Sequence, residues 1–255
     1  MEQSFNFEKE VEKDVDYILW STKLCGIFRF TKQRFWEEET LEHEYIMRMF
    51  GNKRNNVSVP RTESVAEHSW HMADIAMLLA PKFSYLDIGK CLMIATLHDK
   101  LEIITGDQSP IGKNGKGNKT HAFNEQKKTE KDQLEIDSLS QYKKKLNPIS
   151  FAFQEKIIME AIELSSPESR FVKALDRIQP LAYIILKKDG IMENKHIEFT
   201  LRYSATYMKH FPELAPHYNC LIHRLLETIA KRRKISLSEL KTNIDGEQLK
   251  LFSSF

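Results

Sequence analysis

The sequence predicts an all-α fold, and three observations carry that prediction. Apolar residues recur at intervals of three and four along most of the 255 residues, the spacing that lines one face of a helix. Almost nothing alternates with the period of two that a half-buried strand requires. Helix start and stop signals also bracket the periodic runs. No internal repeat and no long Pro/Gly-rich linker divides the chain, which reads as one domain with helical extensions.

Between positions 1 and 50 glycine and proline are scarce, and Val15, Ile18, Leu19 and then Leu41, Tyr45, Ile46, Met49 fall at helical spacing. Ser64 followed by Glu67 is a capping box, in which each side chain satisfies a backbone donor at a helix start. It opens the amphipathic run His68–Leu79, which Pro81 ends. A third helical run passes from Leu86 through Cys91, Ile94, Leu97, His98 and Leu101 to Glu102, with Gly106 placed for a left-handed C-terminal cap. The stretch Gln108–Lys119 concentrates turn formers and lysines and reads as a loop. A charged helix follows to about Lys145, closed by Pro148, and helical spacing resumes over Ile149–Leu164. Ser166 and Pro167 suit the N-cap and first position of a helix carrying Phe171, Val172, Leu175 and Ile178. From Gly190 on, Tyr218–Ile229 and Leu237–Leu249 are helical runs around the basic cluster Lys231–Lys234. The domain expectation is a core over 1–189, interrupted near 31–55, and a helical extension over 190–255.

Composition excludes several classes. With 38 basic and 36 acidic residues the formal charge is +2, too small for a long-range field, which argues against a nucleic-acid partner. Three cysteines, Cys25, Cys91 and Cys220, are far apart and odd in number, so neither a disulfide framework nor a thiolate zinc site is indicated. The acidic start, Met1–Asp16, lacks the features of a signal peptide. No run of about 18 apolar residues offers a membrane span. The expectation is a cytoplasmic protein with no membrane partner.

Hard and borderline metal-ligand types cluster in a few segments: His68, the adjacent His98 and Asp99, Glu102, Asp107, and Asp176. A lone histidine says little, but two imidazoles and carboxylates from separated helices can close around one divalent cation. His98 and Glu102 are four apart, so a continuous helix puts them on one face. Acidic groups at a helix C-terminus oppose its dipole, which favours function over stability for Glu102 and Asp107.

Three motifs sharpen the picture: R-x-E-S-V-A-E-H (Arg61–His68), L-H-D-x-x-E-x-x-T-G-D (Leu97–Asp107) and A-L-D (Ala174–Asp176). They resemble the HD-domain metal-dependent phosphohydrolases, and within them the 5'-deoxynucleotidase branch. The resemblance implies an HD-domain helical bundle in which His68, His98, Asp99 and Asp176 hold a metal and Glu102 and Asp107 act as the acid/base pair. It further implies hydrolysis of the 5'-phosphate of (deoxy)ribonucleoside monophosphates by a cation-activated water, and suggests a homodimer. K-L-C-G-I-F-R-F (Lys23–Phe30) resembles the branch's Arg-aromatic pair. It nominates Arg29 for the phosphate and Phe30 for the sugar, although core packing accounts for Phe30 equally well. The chain departs from that pattern in carrying phenylalanine where the branch has tryptophan, and in the insertion after Phe30.

Binuclear members of the superfamily need two more histidines between the HD pair and the final aspartate, and Lys100–Leu175 holds one, His121. One divalent ion is therefore expected, with Mn, Co, Fe, Ni and Zn all compatible with two histidines and two aspartates. The stretch Gly112–Thr120 fails the Walker pattern, because Gly117 is followed by Asn118 and no buried strand precedes it. A nucleoside triphosphate or (p)ppGpp hydrolase with the same ligands, and a non-catalytic metal-binding regulatory module, stand as alternatives.

Overall fold

Helix formation follows the caps written into the sequence. The computed structural model describes residues 2–30, 62–112 and 115–244. The helical run expected at Leu41–Met49, the insertion at 31–55, Arg61 of the first motif and everything after Ile244 lie outside those residues.

Helix α1 (Glu2–Ser21) runs into a 3₁₀ turn, Thr22–Gly26. The chain then extends through Ile27–Phe30 and is pinned beside the next helix. Phe28 bridges Ser64 in antiparallel fashion, the Arg29 N–H donates to the Glu63 carbonyl at 2.8 Å, and the Val65 N–H donates to that of Ile27 at 2.8 Å. This clamp delivers Arg29 to the mouth of α2 (Val65–Leu79). The expected capping box opens α2, with Ser64 and Glu67 exchanging side-chain and backbone hydrogen bonds. Pro81 follows it in a 3₁₀ turn.

Asp87 caps α3 (Ile88–Leu97), accepting from the Lys90 N–H at 3.0 Å. Here the structure corrects the sequence reading. The helix does not continue to Glu102; it stops at Leu97, and Glu102–Thr105 forms a separate one-turn helix, α4. Between them the backbone is wound by i to i−3 bonds, among them Lys100 N–H to Leu97 and Glu102 N–H to Asp99. The one continuous helical face expected to carry both His98 and Glu102 is therefore interrupted between them. Gly106 does terminate this segment, but with φ 72° and ψ 158°. That is not the left-handed helical cap expected; it is a region open almost exclusively to glycine.

The remaining helices are α5 (Glu125–Lys143), α6 (Pro148–Glu163), α7 (Pro167–Lys187), α8 (Asn194–Ala205), α9 (Ala215–Arg233) and α10 (Leu237–Asn243). Pro148 opens α6 at its first position, under an Asn147 cap, besides closing the preceding segment. Ser166 and Pro167 start α7 as read, and α7 continues through Pro180 to Lys187. No strand forms among the described residues; Phe28 and Ser64 make the isolated bridge.

The main core lies where α2, α3, α7 and α9 meet, around fully buried Met72, Ala76, Leu175, Leu181 and Leu225. Met72 and the leucines each contribute about 1.5–3 kcal/mol on leaving water. Ile197 and Leu201 of α8 and Leu240 of α10 belong to the same core, so helices on both sides of residue 190 share it. Two members of the basic cluster tie α9 to the α7–α8 connection: Arg232 bonds Asp189 at 2.8 Å, and Arg233 bonds Asn194 and the Met192 carbonyl, both at 2.6 Å. A second cluster, with Leu139, Tyr142, Phe151 and Ile158 packed against Tyr17 and Trp20, joins α1, α5 and α6. Among the described residues no helix is long and apolar enough to cross a membrane.

Candidate metal centre

Three of these helices aim polar side chains at one point. His68 sits in the second turn of α2 and is fully buried; its Nε2 lies 3.3 Å from Asp176 Oδ1 and 3.7 Å from Asp99 Oδ2. His98 caps α3, with Nε2 3.2 Å from Asp99 Oδ2 and 3.3 Å from His68 Nε2. Asp176 comes from the middle of α7. One ligand atom from each of these four residues lies within 4.8 Å of all the others.

The hydrogen bonds behind the rings say what the ring atoms in front can do. His98 Nδ1 donates to the Ala95 carbonyl at 2.9 Å, and His68 Nδ1 donates to Gln179 Oε1 at 3.0 Å. When neutral, the two rings therefore present Nε2 lone pairs to each other, a contact that a proton or cation between them relieves. Burial lowers the proton affinity of His98, but the neighbouring Asp99 carboxylate outweighs it and raises it. His68 is held uncharged, at about 4, chiefly by burial and secondly by Arg29. Burial alone would raise Asp176, but the positive charges of Lys173 and Arg177 outweigh it and hold the carboxylate well below its usual range. Two unprotonated imidazole nitrogens and two ionised carboxylates are the donor set of a divalent transition-metal ion. The residues fit the group the motifs imply.

Around this point lie the other expected residues. Glu102 is buried, and burial followed by the charges of Asp99 and Asp107 holds its carboxyl well above the usual range. Burial also pushes Asp107 up to about 6, against the pull of Arg29. Glu102 Oε2 and Asp107 Oδ2 are both buried without a hydrogen-bond partner among the described residues. The Arg29 guanidinium reaches Asp99 at 3.5 Å, Glu63 at 3.8 Å and Asp176 at 3.9 Å. Phe30, at φ 63°, stacks on Tyr183 with centroids 5.1 Å apart and packs on the core, while still lining the cavity.

That cavity, of ≈170 Å³, opens from the His98–Asp99 turn. Its wall holds cations that the sequence reading did not nominate. Lys173 and Arg177 bond Asp176 Oδ2 at 3.2 and 3.0 Å, and Arg177 also lies over the Tyr203 ring at 4.4 Å. Lys131 of α5 lines the same space and is paired with Glu135. Lys173 and Arg177 stand three before and one after Asp176, close enough to have been suspected once Asp176 was chosen. Lys131 gave no such signal, because nothing local ties α5 to α7.

A family model described as the HD domain matches residues 51–215, and the chain belongs to that family. Curated relatives include the 5'-deoxynucleotidase hdd1 of Schizosaccharomyces pombe, 27% identical over 128 residues, 49% of this chain and 58% of that protein. Human 5'-deoxynucleotidase HDDC2 is 31% identical over 129 residues, 48% of this chain and 53% of that protein. The chain thus spans little more than half the length of either. A crystal structure of a predicted metal-dependent phosphohydrolase from Magnetospirillum magnetotacticum MS-1 superposes with a TM-score of 0.55 at 21% identity, covering 86% of this chain and 94% of that one. That likeness shows the fold.

Proposed function

We propose that this chain is a metal-dependent phosphomonoesterase that removes the 5'-phosphate from (deoxy)ribonucleoside monophosphates. The observation that carries the reading is one constellation: four metal-ligand atoms, an arginine and two unpartnered buried carboxyl oxygens around a single cavity. The relatives' names point to the same substrate class.

In this reading His68, His98, Asp99 and Asp176 hold one divalent ion, which acidifies water and screens the charge developing on the phosphoryl group. Arg29 binds phosphate oxygens; its guanidinium shares the Asp99 and Asp176 carboxylates now and turns to the substrate when it arrives. Asp107 accepts the proton of the attacking water. Glu102, whose carboxyl burial holds in its protonated form, donates a proton to the nucleoside 5'-oxygen as the P–O bond breaks. Phe30 packs on the sugar.

The cationic wall of Lys131, Lys173 and Arg177 favours a second reading, hydrolysis of a nucleotide with more phosphates. Products separate the two: orthophosphate from dAMP or dUMP supports the first, and turnover confined to dATP or (p)ppGpp supports the second. Purified protein stripped of metal and screened with Mn, Co, Fe, Ni and Zn ions should hydrolyse monophosphates, and His98→Ala should not. Activity surviving in His98→Ala overturns the assigned centre.

A further inference from the structure

We infer that Gln179 is the positioning residue that makes His68 a metal ligand, through a buried relay it forms with Glu63 and His71. The inference rests on the metal-centre reading above and extends it to Gln179 and His71, which no motif covers, and to Glu63, a member of the first motif without an assigned role.

Gln179 follows Asp176 by three positions on α7, so one face of one helix presents both a proposed ligand and this amide. The amide is 1% exposed and His68 is fully buried. A buried primary amide must find partners for two N–H donors and one carbonyl. Gln179 satisfies all three: Oε1 accepts from His68 Nδ1 at 3.0 Å, and Nε2 donates to Glu63 Oε1 at 2.8 Å and to His71 Nδ1 at 2.9 Å.

The relay has a direction. Glu63 supplies carboxylate oxygens, which accept. Turning the amide over would set its carbonyl against that carboxylate and its NH2 against the His68 N–H. Gln179 is therefore locked with its oxygen toward His68, so the His68 proton stays on Nδ1 and the Nε2 lone pair stays toward Asp176 Oδ1, 3.3 Å away. His98 achieves the same tautomer from the Ala95 backbone carbonyl, which no substitution removes. His68 owes its tautomer to a side chain. Partners of this kind, behind a metal-binding histidine, typically change metal affinity about 10–100-fold when lost.

The test uses the full chain and Co²⁺ as probe, with Gln179→Leu, Gln179→Met and Gln179→Glu. Long-range ¹H–¹⁵N spectra of metal-free protein should show His68 protonated on Nδ1 in the wild type and on Nε2, or mixed, in the Leu and Met variants. Co²⁺ titrated by calorimetry and followed by visible absorption should bind those two variants about 10–100-fold more weakly, with an altered ligand-field spectrum. Gln179→Glu keeps an acceptor for His68 Nδ1 but sets a carboxylate oxygen against Glu63, so it should recover the loss only together with Glu63→Gln, which restores a donor there. Leu or Met variants that bind Co²⁺ as the wild type does, with the same spectrum, overturn the inference. If neither folds, the wild-type spectrum decides, since an Nε2 proton on metal-free His68 is incompatible with the relay. Failure of the metal reading looks different: wild type and His98→Ala then bind Co²⁺ equally or not at all.

Discussion

Two buried polar groupings among the described residues treat their hydrogen bonds in opposite ways. Where α1, α5 and α6 meet, the Tyr17 and Tyr142 hydroxyls lie 3.0 Å apart and within hydrogen-bond reach of Gln154 Oε1, so one donates to that oxygen and the other to its neighbour's hydroxyl or to the same oxygen. Their rings pack edge-on and against Trp20. Where α2, α3 and α7 meet, Arg29, Glu63, Glu102 and Asp107 each leave a buried polar atom without a hydrogen bond. Most buried polar groups in folded proteins are satisfied. The first grouping obeys that rule, as a structural network does. The second breaks it four times, three of them on one cavity wall, the pattern expected where a cation and an anionic substrate supply the missing partners.

Substitutions that remove the cation should have the largest effect. His98→Ala deletes a ligand outright, so Co²⁺ affinity and orthophosphate release should fall by more than the about 10–100-fold expected of a residue behind a ligand, as read by calorimetry and phosphate assay. Glu102→Gln should lower kcat by about 10²–10⁴-fold, the usual worth of a general acid or base. The same variant should be the more stable protein without metal. Glu102 has its folded-state proton affinity raised, so the native state holds a proton that the unfolded chain releases, and stability is lost as pH rises through the folded value. Glutamine removes that loss, so the gain in Tm should be greater at pH 8 than at pH 5, in scanning calorimetry. A variant that is less stable at both pH values would place Glu102 with the satisfied groups.

Arg29→Ala should reduce kcat/KM by about 10–100-fold, the equivalent of a charged hydrogen bond worth about 1.5–3 kcal/mol. The smallest effect belongs to the other grouping. Tyr142→Phe removes one hydroxyl from a satisfied network and should cost about 1 kcal/mol of stability in urea denaturation, with kcat unchanged. A fall in kcat there would erase the distinction between the two groupings.

Much of the fold was legible because its signals are local. Ser64 with Glu67 and Ser166 with Pro167 start helices in the structure as their chemistry requires. The ligand types were legible because histidine and aspartate stand in recognisable motifs. The break after Leu97 was not: His98 to Glu102 carries no glycine or proline, and apolar spacing alone suggested one helix. The turn between Leu97 and Glu102 tightens to i to i−3 bonds, which no propensity announces. Phe30 shows the same limit, since its φ of 63° and its stacking on Tyr183 depend on the clamp between residues 27–30 and Ser64.

By itself, then, the amino-acid order settled that the chain is helical, where most helices begin, and which side chains have the chemistry to hold a cation, because caps, periodicity and donor type are properties of neighbouring residues. Only the tertiary structure brought Arg29 among Asp99 and Asp176, lined the cavity with Lys131 from one helix and Arg177 from another, and set Gln179 behind His68 across 111 positions of chain. Those encounters are decided by how the apolar faces of α2, α3, α7 and α9 close on one another, and no stretch of sequence short enough to read holds both sides of such a contact.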